Sequence, residues 1–284
     1  MNKPKKFPWI TAISIVVLAG NSFAGKLLAQ AQQNSPQGNS YQDTPSHYPS
    51  NSSNMDVRNL REHVWNKTEA KDFQGALNDV EKLIEIDPNS AENYMYRGGI
   101  KQELGDIQGY VNDLHKAIEI NPKDVGIRGN IAVFYFQRNE WENAAKEYSG
   151  IINVDPNNAG AYLMRGNCQS QMGNKQVALK DYAQVVKLEP SKPFGYLLQG
   201  RTFAEMGQMD KAKEELERAA QVNYAENNYK AFVHRYVGDV YVRFKQPEDA
   251  MRHWATALEL YRKSNNAKKV EYLQKEIQDL ENRR

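Results

Sequence analysis

The chain has 284 residues, with 37 Lys and Arg against 35 Asp and Glu and a single Cys. Charge this close to balance argues against a polybasic nucleic-acid binder and against an acidic solvating tail. One Cys excludes a disulfide framework, or a cysteine-rich zinc or iron–sulfur site, within one chain.

Residues 1–31 hold Lys3, Lys5, Lys6 and Lys26 and no acid, and an almost unbroken apolar run extends from Ile10 to Gly20. A basic end, a short apolar stretch and then small residues is the pattern of a secretory signal peptide. Cleavage after Ala24 or after Ala31 fits, and the second site is favoured. The alternative is an uncleaved membrane anchor, although the apolar stretch falls short of the roughly 20 residues that span a bilayer. In either case the basic end stays cytoplasmic and the bulk is translocated. The chain is therefore expected to be exported, to a periplasm or thylakoid-lumen-like compartment, or to be anchored in the membrane facing that side. A cut after Ala31 removes four Lys and no acid, leaving 33 basic residues against 35 acidic. Residues 32–55 are Gln, Asn, Ser, Pro and Gly with almost no aliphatics, a composition that reads as a disordered polar linker.

From residue 56 the sequence repeats itself. Pro88, Pro122, Pro156 and Pro190 are each 34 residues apart, as are Ala76, Tyr110, Ala144, Ala178 and Ala212. Five units follow, at 57–90, 91–124, 125–158, 159–192 and 193–226, and a sixth at 231–264 comes after a four-residue insertion, Asn227 to Lys230. Small residues recur at position 8 as Gly98, Ala132, Gly166, Gly200 and Gly238. Larger apolar residues recur at position 24 as Val80, Leu114, Tyr148, Tyr182, Leu216 and Trp254. Spacing inside a unit is helical, as with Ile131, Phe134 and Tyr135, then Ala144, Tyr148 and Ile151. Gly105, Gly173 and Gly207 sit at the break between two such runs, where Gly can end a helix in a left-handed conformation. Asp87, Asn121 and Asp155 precede Pro and should terminate the second helix. Each repeat is thus expected to be two antiparallel helices. Residues 265–284, with Val270, Leu273, Ile277 and Leu280 on one stripe, are expected to form a C-terminal capping helix. The rival reading of that stripe, a short coiled coil between chains, has fewer than three heptads.

This pattern resembles the tetratricopeptide repeat, a 34-residue helix–turn–helix unit with apolar residues at 4, 11 and 24, small ones at 8, 20 and 27, and Pro at 32. The resemblance covers residues 57 to about 264 and implies an all-α, right-handed superhelical solenoid of helix pairs. It departs from the pattern at Val64, where a small residue is expected, and at Tyr224, which replaces the terminal Pro of repeat 5.

Charges inside the repeats fall in register. Arg97 and Arg165 occupy position 7, and Asp113 and Asp181 occupy position 23 of the same repeats. They are expected to form structural ion pairs across the two helices, since the Arg fork can grip a carboxylate at two points. His63 with Asp79 and Gln199 with Glu215 are the corresponding pairs of repeats 1 and 5. No HExxH spacing, nucleophile elbow, phosphate loop or dinucleotide fingerprint occurs, and Cys168 falls on a helix at a position suited to a small buried hydrophobe. The expectation is no catalytic residue, no metal, no cofactor and no nucleic-acid partner.

The resemblance further implies that positions 2, 5, 6, 9, 12 and 13 of each first helix face a concave groove. In repeats 1 to 3 these include Trp65, then Met95 and Tyr96, then Asn130, Val133 and Phe136. In repeat 4 they are Leu163, Met164 and Asn167, and in repeat 5 Phe194, Leu197, Leu198 and Arg201. Repeat 6 adds Phe232, Arg235, Tyr236 and Arg243. Some of these side chains could instead pack between neighbouring repeats. Chaperone-tail binders of the family hold a terminal carboxylate with Lys, Asn and Arg at concave positions, where this chain has Met95, Gly99, Gly126, Gly129 and Gly160. An apolar groove instead suits an extended segment or helix of a partner protein. The reading is an exported, non-enzymatic scaffold that holds another protein, perhaps during assembly of a membrane complex, with a membrane-tethered form of it as the alternative. An enzyme or small-ligand carrier is the remote one.

Overall fold

The computed structural model describes residues 52–223 and 225–282. The export signal, its cleavage sites and residues 32–51 of the linker lie outside the described residues. Among the described residues there are thirteen α-helices and no strand. The chain divides into two compact units, one ending at Pro156 and the other beginning at Asn157.

The first unit contains α1 (Ser52–Glu69), α2 (Phe73–Ile86), α3 (Ala91–Glu103), α4 (Ile107–Ile120), α5 (Val125–Gln137) and α6 (Trp141–Val154). The second contains α7 (Ala159–Gln171), α8 (Lys175–Leu188), α9 (Phe194–Glu205), α10 (Met209–Gln221), α11 (Asn227–Arg243), α12 (Pro247–Lys263) and α13 (Ala267–Glu281). Two boundaries differ from expectation. Helix α1 begins at Ser52, inside the expected linker, and the inserted Asn227 to Lys230 form the first turn of α11, which so begins one turn before position 1 of repeat 6.

Local chemistry sets the helix ends. Gly105, Gly173 and Gly207 take φ of 82°, 83° and 75°, and in the repeats that lack the Gly, Lys71, Asn139 and Lys245 do the same at 61°, 60° and 57°. Only a residue without Cβ, or one tolerant of the left-handed region, closes a helix in this way at low cost. Asp72 and Asp106 then accept the backbone N–H groups of Gly75 and Gly109 at 2.9 and 2.8 Å, capping α2 and α4. Asp87, Asn121 and Asp155 leave helical geometry just before each Pro.

Within a pair the helices run antiparallel. Arg97 meets Asp113, whereas one turn further along α3 a Cβ built on Gly109 would fall 2.7 Å from Lys101 Cδ. The recurrent small residue permits the approach. A Cβ added at Gly166 would lie 2.6 Å from the Tyr182 ring, at Gly200 2.6 Å from Leu216, and at Gly238 2.3 Å from the Trp254 indole. Val64 takes this place in repeat 1 and is still buried, in a cluster with Ala76, Val80 and Leu83, where position 24 is the small Val80 in place of a Tyr or Trp ring. At the C-terminus Leu273 is buried against Trp254, Ala257 and Tyr261, with Val270, Ile277 and Leu280 packed on the same cluster. The apolar stripe of α13 is thus spent within the chain.

An acid or His is half-buried or buried at position 23 of every repeat, and its partner varies. Arg97 Nε and Nη2 donate to the two oxygens of Asp113 at 2.9 and 2.6 Å, and Arg165 grips Asp181 at the same distances. Each guanidinium also lies over a ring one turn back, Tyr94 at 5.3 Å and Tyr162 at 5.5 Å. In repeat 3 the cation stands at position 4 instead, where Arg128 Nη1 donates to the longer side chain of Glu147 at 3.1 Å. Repeat 1 corrects an expectation. His63 is exposed, and Lys67, one turn further into the slot, donates to Asp79 at 2.5 Å while Lys82 donates at 3.1 Å. Burial pushes the Asp79 carboxyl up, but these two cations outweigh it and hold it below the usual carboxylate range. Repeat 5 supplies a second correction. Gln199 makes no hydrogen bond to Glu215, which is bonded by Arg218 at 3.0 Å through one oxygen. Its other oxygen, Oε2, is buried without a hydrogen bond, and burial raises the Glu215 pKa.

Three outcomes follow from this packing. Gly238→Ala should cost about 1–3 kcal/mol in urea unfolding by overpacking Trp254, whereas Gly129→Ala in α5, where a Cβ meets nothing, should gain about 0.5–1 kcal/mol from helix propensity. Arg97→Met should destabilise by about 1–3 kcal/mol, because it leaves the buried Asp113 carboxylate to Lys101 alone, whose Nζ lies 2.9 Å from Oδ2. Gln199→Arg should raise stability by about 1 kcal/mol by supplying Glu215 with the missing fork. With its folded pKa raised, Glu215 binds its proton more tightly in the native state, so wild-type stability falls as pH rises through that range. The Arg variant should flatten this slope in urea melts taken between pH 4 and 7.

Candidate functional site

The stripe expected to face a partner was assigned by position number alone, and the structure divides it. In the first unit Tyr96 is buried in the cluster of Val64, Leu83 and Ile100, with its hydroxyl donating to Glu92. Phe136 is buried edge-on against Trp141, ring centroids 4.9 Å apart. Both are packing residues. Met95, Asn130 and Val133 stay half-exposed, as does Trp65.

Two of these survivors share a setting. Gly126, Gly129, Asn130 and Val133 recur on α5 at helical spacing and so occupy one face. A Cβ on Gly129 would meet nothing within 4 Å, and one on Gly126 would meet only the carboxylate of its own cap, Asp124, at 3.1 Å. Met95 of α3 packs on the core cluster that contains Ile127 and Ile131 of α5. The result is a low strip on α5 with a glycine floor, the Val133 side chain along it and the amide of Asn130 as its polar group.

In the second unit the expected groove residues are mostly interior. Leu197 and Leu198 are 0% exposed, and Phe194, Leu163, Met164 and Tyr236 are buried with them. These side chains fill the space between successive helix pairs and have no surface to offer a partner. Asn167 is also interior, accepting the Tyr182 hydroxyl at 2.9 Å, with its amide nitrogen 3.9 Å from Met164 Sδ. Arg201 lies 3.5 Å from Glu205 and beside Tyr182 and Tyr236, in surroundings that raise the pKa of both phenols through burial first. The half-exposed Phe232 stacks with Tyr229 at 6.3 Å, and Arg235 lies over the Tyr272 ring of α13 at 4.9 Å. Arg243 is exposed.

Reactive chemistry is scarce on these surfaces. Cys168 is fully buried and burial pushes its thiol up to about 12, so thiolate is negligible at neutral pH. Among the described residues no group of three or more His, Cys, Asp or Glu is placed to hold a metal ion, and no helix is long and apolar enough to cross a membrane. Register reasoning missed the Arg128–Glu147 pair and a contact between His234 and His253. The signal for both was the polar residue at position 23 of every repeat, Asp79, Asp113, Glu147, Asp181, Glu215 and His253.

The family model described as tetratricopeptide repeat matches residues 159–192 and 195–225. No curated protein matches the chain significantly. Among solved structures, one described as the crystal structure of MamA protein is similar, with 21% identity and a TM-score of 0.50, covering 62% of this chain and 94% of that one. A second, MamA 41-end from Desulfovibrio magneticus RS-1, has 15% identity and a TM-score of 0.47, covering 58% of this chain and 94% of that one. At such identity the first likeness concerns the fold alone. Residues 159–192 and 195–225 match two tetratricopeptide repeats by sequence, and helix pairs of the same kind recur through the rest of the described residues.

Proposed function

We propose that the protein is an exported, non-enzymatic scaffold that holds an extended segment or helix of a partner protein against the strip formed by Gly126, Gly129, Asn130 and Val133. The observation that carries this reading is the open surface above Gly129. A missing side chain there lets a partner backbone approach the helix closely. Asn130 can bond one main-chain group of the guest. The interior ion pairs are consistent with the same reading, since Arg97 and Arg165 are committed to Asp113 and Asp181 and the strip itself carries no charge. Export rests on the basic and apolar pattern of residues 1–31. On this reading the compartment is a periplasm or thylakoid-like lumen, and the partner belongs to a complex assembled at its membrane. A tethered form would keep the same strip and differ only in retaining its N-terminus.

Gly129→Trp tests the strip without disturbing the core, because the new side chain enters open space. Affinity capture from the native compartment should lose its principal partner with Gly129→Trp and with Val133→Asp, while the melting temperature stays within about 2 °C of wild type, as surface changes usually leave it. Val177→Asp, at a residue 45% exposed on α8, should capture normally. Equal capture by all three would sink the assignment. Intact mass of the mature protein should show loss of residues 1–31; a full-length mass would instead support the tethered form.

A further inference from the structure

The interhelical slot that other repeats fill with a permanent ion pair holds two imidazoles in repeat 6. His234 stands at position 4 on α11 and His253 at position 23 on α12, with Val237 at position 7. Their Nδ1 atoms are 3.1 Å apart, and His253 Nε2 is 3.1 Å from Glu217 Oε1 on α10. Glu217 Oε1 also accepts Arg252 Nη2 at 2.6 Å, and Lys213 of α10 donates to Asp249 of α12 at 3.0 and 3.2 Å. Of these bonds between α10 and α12, only the one from His253 involves an imidazole of the pair. The charged and titratable groups around the pair are Lys230 and Tyr241 from α11, Asp249 and Arg252 from α12, and Glu217 and Lys213 from α10.

Proton counting shows what the pair can hold. Ionised Glu217 accepts from His253 Nε2–H, which leaves His253 Nδ1 with its lone pair, so His234 must donate through Nδ1–H. One added proton is accommodated: it sits on His253 Nδ1, and His234 changes tautomer to accept it. A second added proton sets N–H against N–H at a separation that only a hydrogen bond sustains, and places two cations beside Arg252.

We propose that His234 and His253 form an acid-sensitive latch that holds α11 against α12 near neutral pH and releases it when both rings are charged. The fold supports the direction. Burial first, then the neighbouring His253, pushes His234 down to about 4, and burial likewise lowers His253 against the opposing pull of Glu217. Both folded pKa values lie below the ordinary imidazole value of about 6.5. The closed latch therefore binds fewer protons than the open one, is fully favoured above that value, and loses its advantage as pH falls toward 4.

Hydrogen exchange of the full chain between pH 7 and 4.5, corrected for the intrinsic pH dependence of exchange, tests this directly. Protection in 227–263 should fall at least about tenfold, the factor that one unit of pKa shift supplies, while 73–120 in the first unit keeps its protection. His234→Phe, which leaves His253 bonded to Glu217 and cannot charge, should hold 227–263 protected across the range. His253→Gln is a second variant should the first fold poorly, and it should show the same flat profile. Unchanged protection in wild type would overturn the proposal, as would a loss shared equally by 73–120 or a loss of equal size in both variants.

Discussion

The distance between the two helices of one repeat governs the rest of this structure. At position 8 the side chain is absent in Gly98, Gly166, Gly200 and Gly238, and the space is taken by a group from the opposite helix, the Tyr182 ring, Leu216 or the Trp254 indole. Close approach carries an electrostatic consequence. Position 23 lies one residue before that packing contact, so its polar side chain is drawn into a region of low effective dielectric, where an unpartnered charge is costly. Each repeat must therefore supply a partner from the first helix or its neighbourhood.

The repeats meet that constraint in different ways, and the side-chain lengths explain the differences. Arg at position 7 reaches the short Asp113 and Asp181 with both arms of its fork. Moving the Arg back one turn, to Arg128, requires the longer acid Glu147. Lys67 serves Asp79 from one turn further on, and His234 with His253 meets the requirement with neutral groups. Among the acids at position 23, Glu215 alone keeps a buried oxygen without a hydrogen bond. These charges belong to the interior, which is why they do not advertise a substrate or a nucleic acid despite their number.

The same tight packing decides where a partner could sit. In the second unit neighbouring helix pairs come together over Leu163, Leu197 and Leu198, and the face expected to be a groove becomes core. In the first unit the corresponding face of α5 carries glycines, which cannot fill the space between themselves and a neighbour, and it stays open at Gly129. An open surface and a packed one are here the same helical positions, separated only by side-chain size.

The amino-acid sequence by itself determined what depends on neighbours within a few residues. The 34-residue period, the helix pairs, the left-handed breaks at Gly105, Gly173 and Gly207, and the stops before Pro all follow from backbone chemistry written locally. It also placed the Arg97–Asp113 and Arg165–Asp181 pairs, because two antiparallel helices joined by a short turn leave those positions no other place to meet. The tertiary structure alone decided which residues of one helical stripe are covered, since burial depends on how near the next pair of helices lies. It alone brought Glu217 to His253 across 36 residues, a contact made between repeats, where local periodicity carries no information.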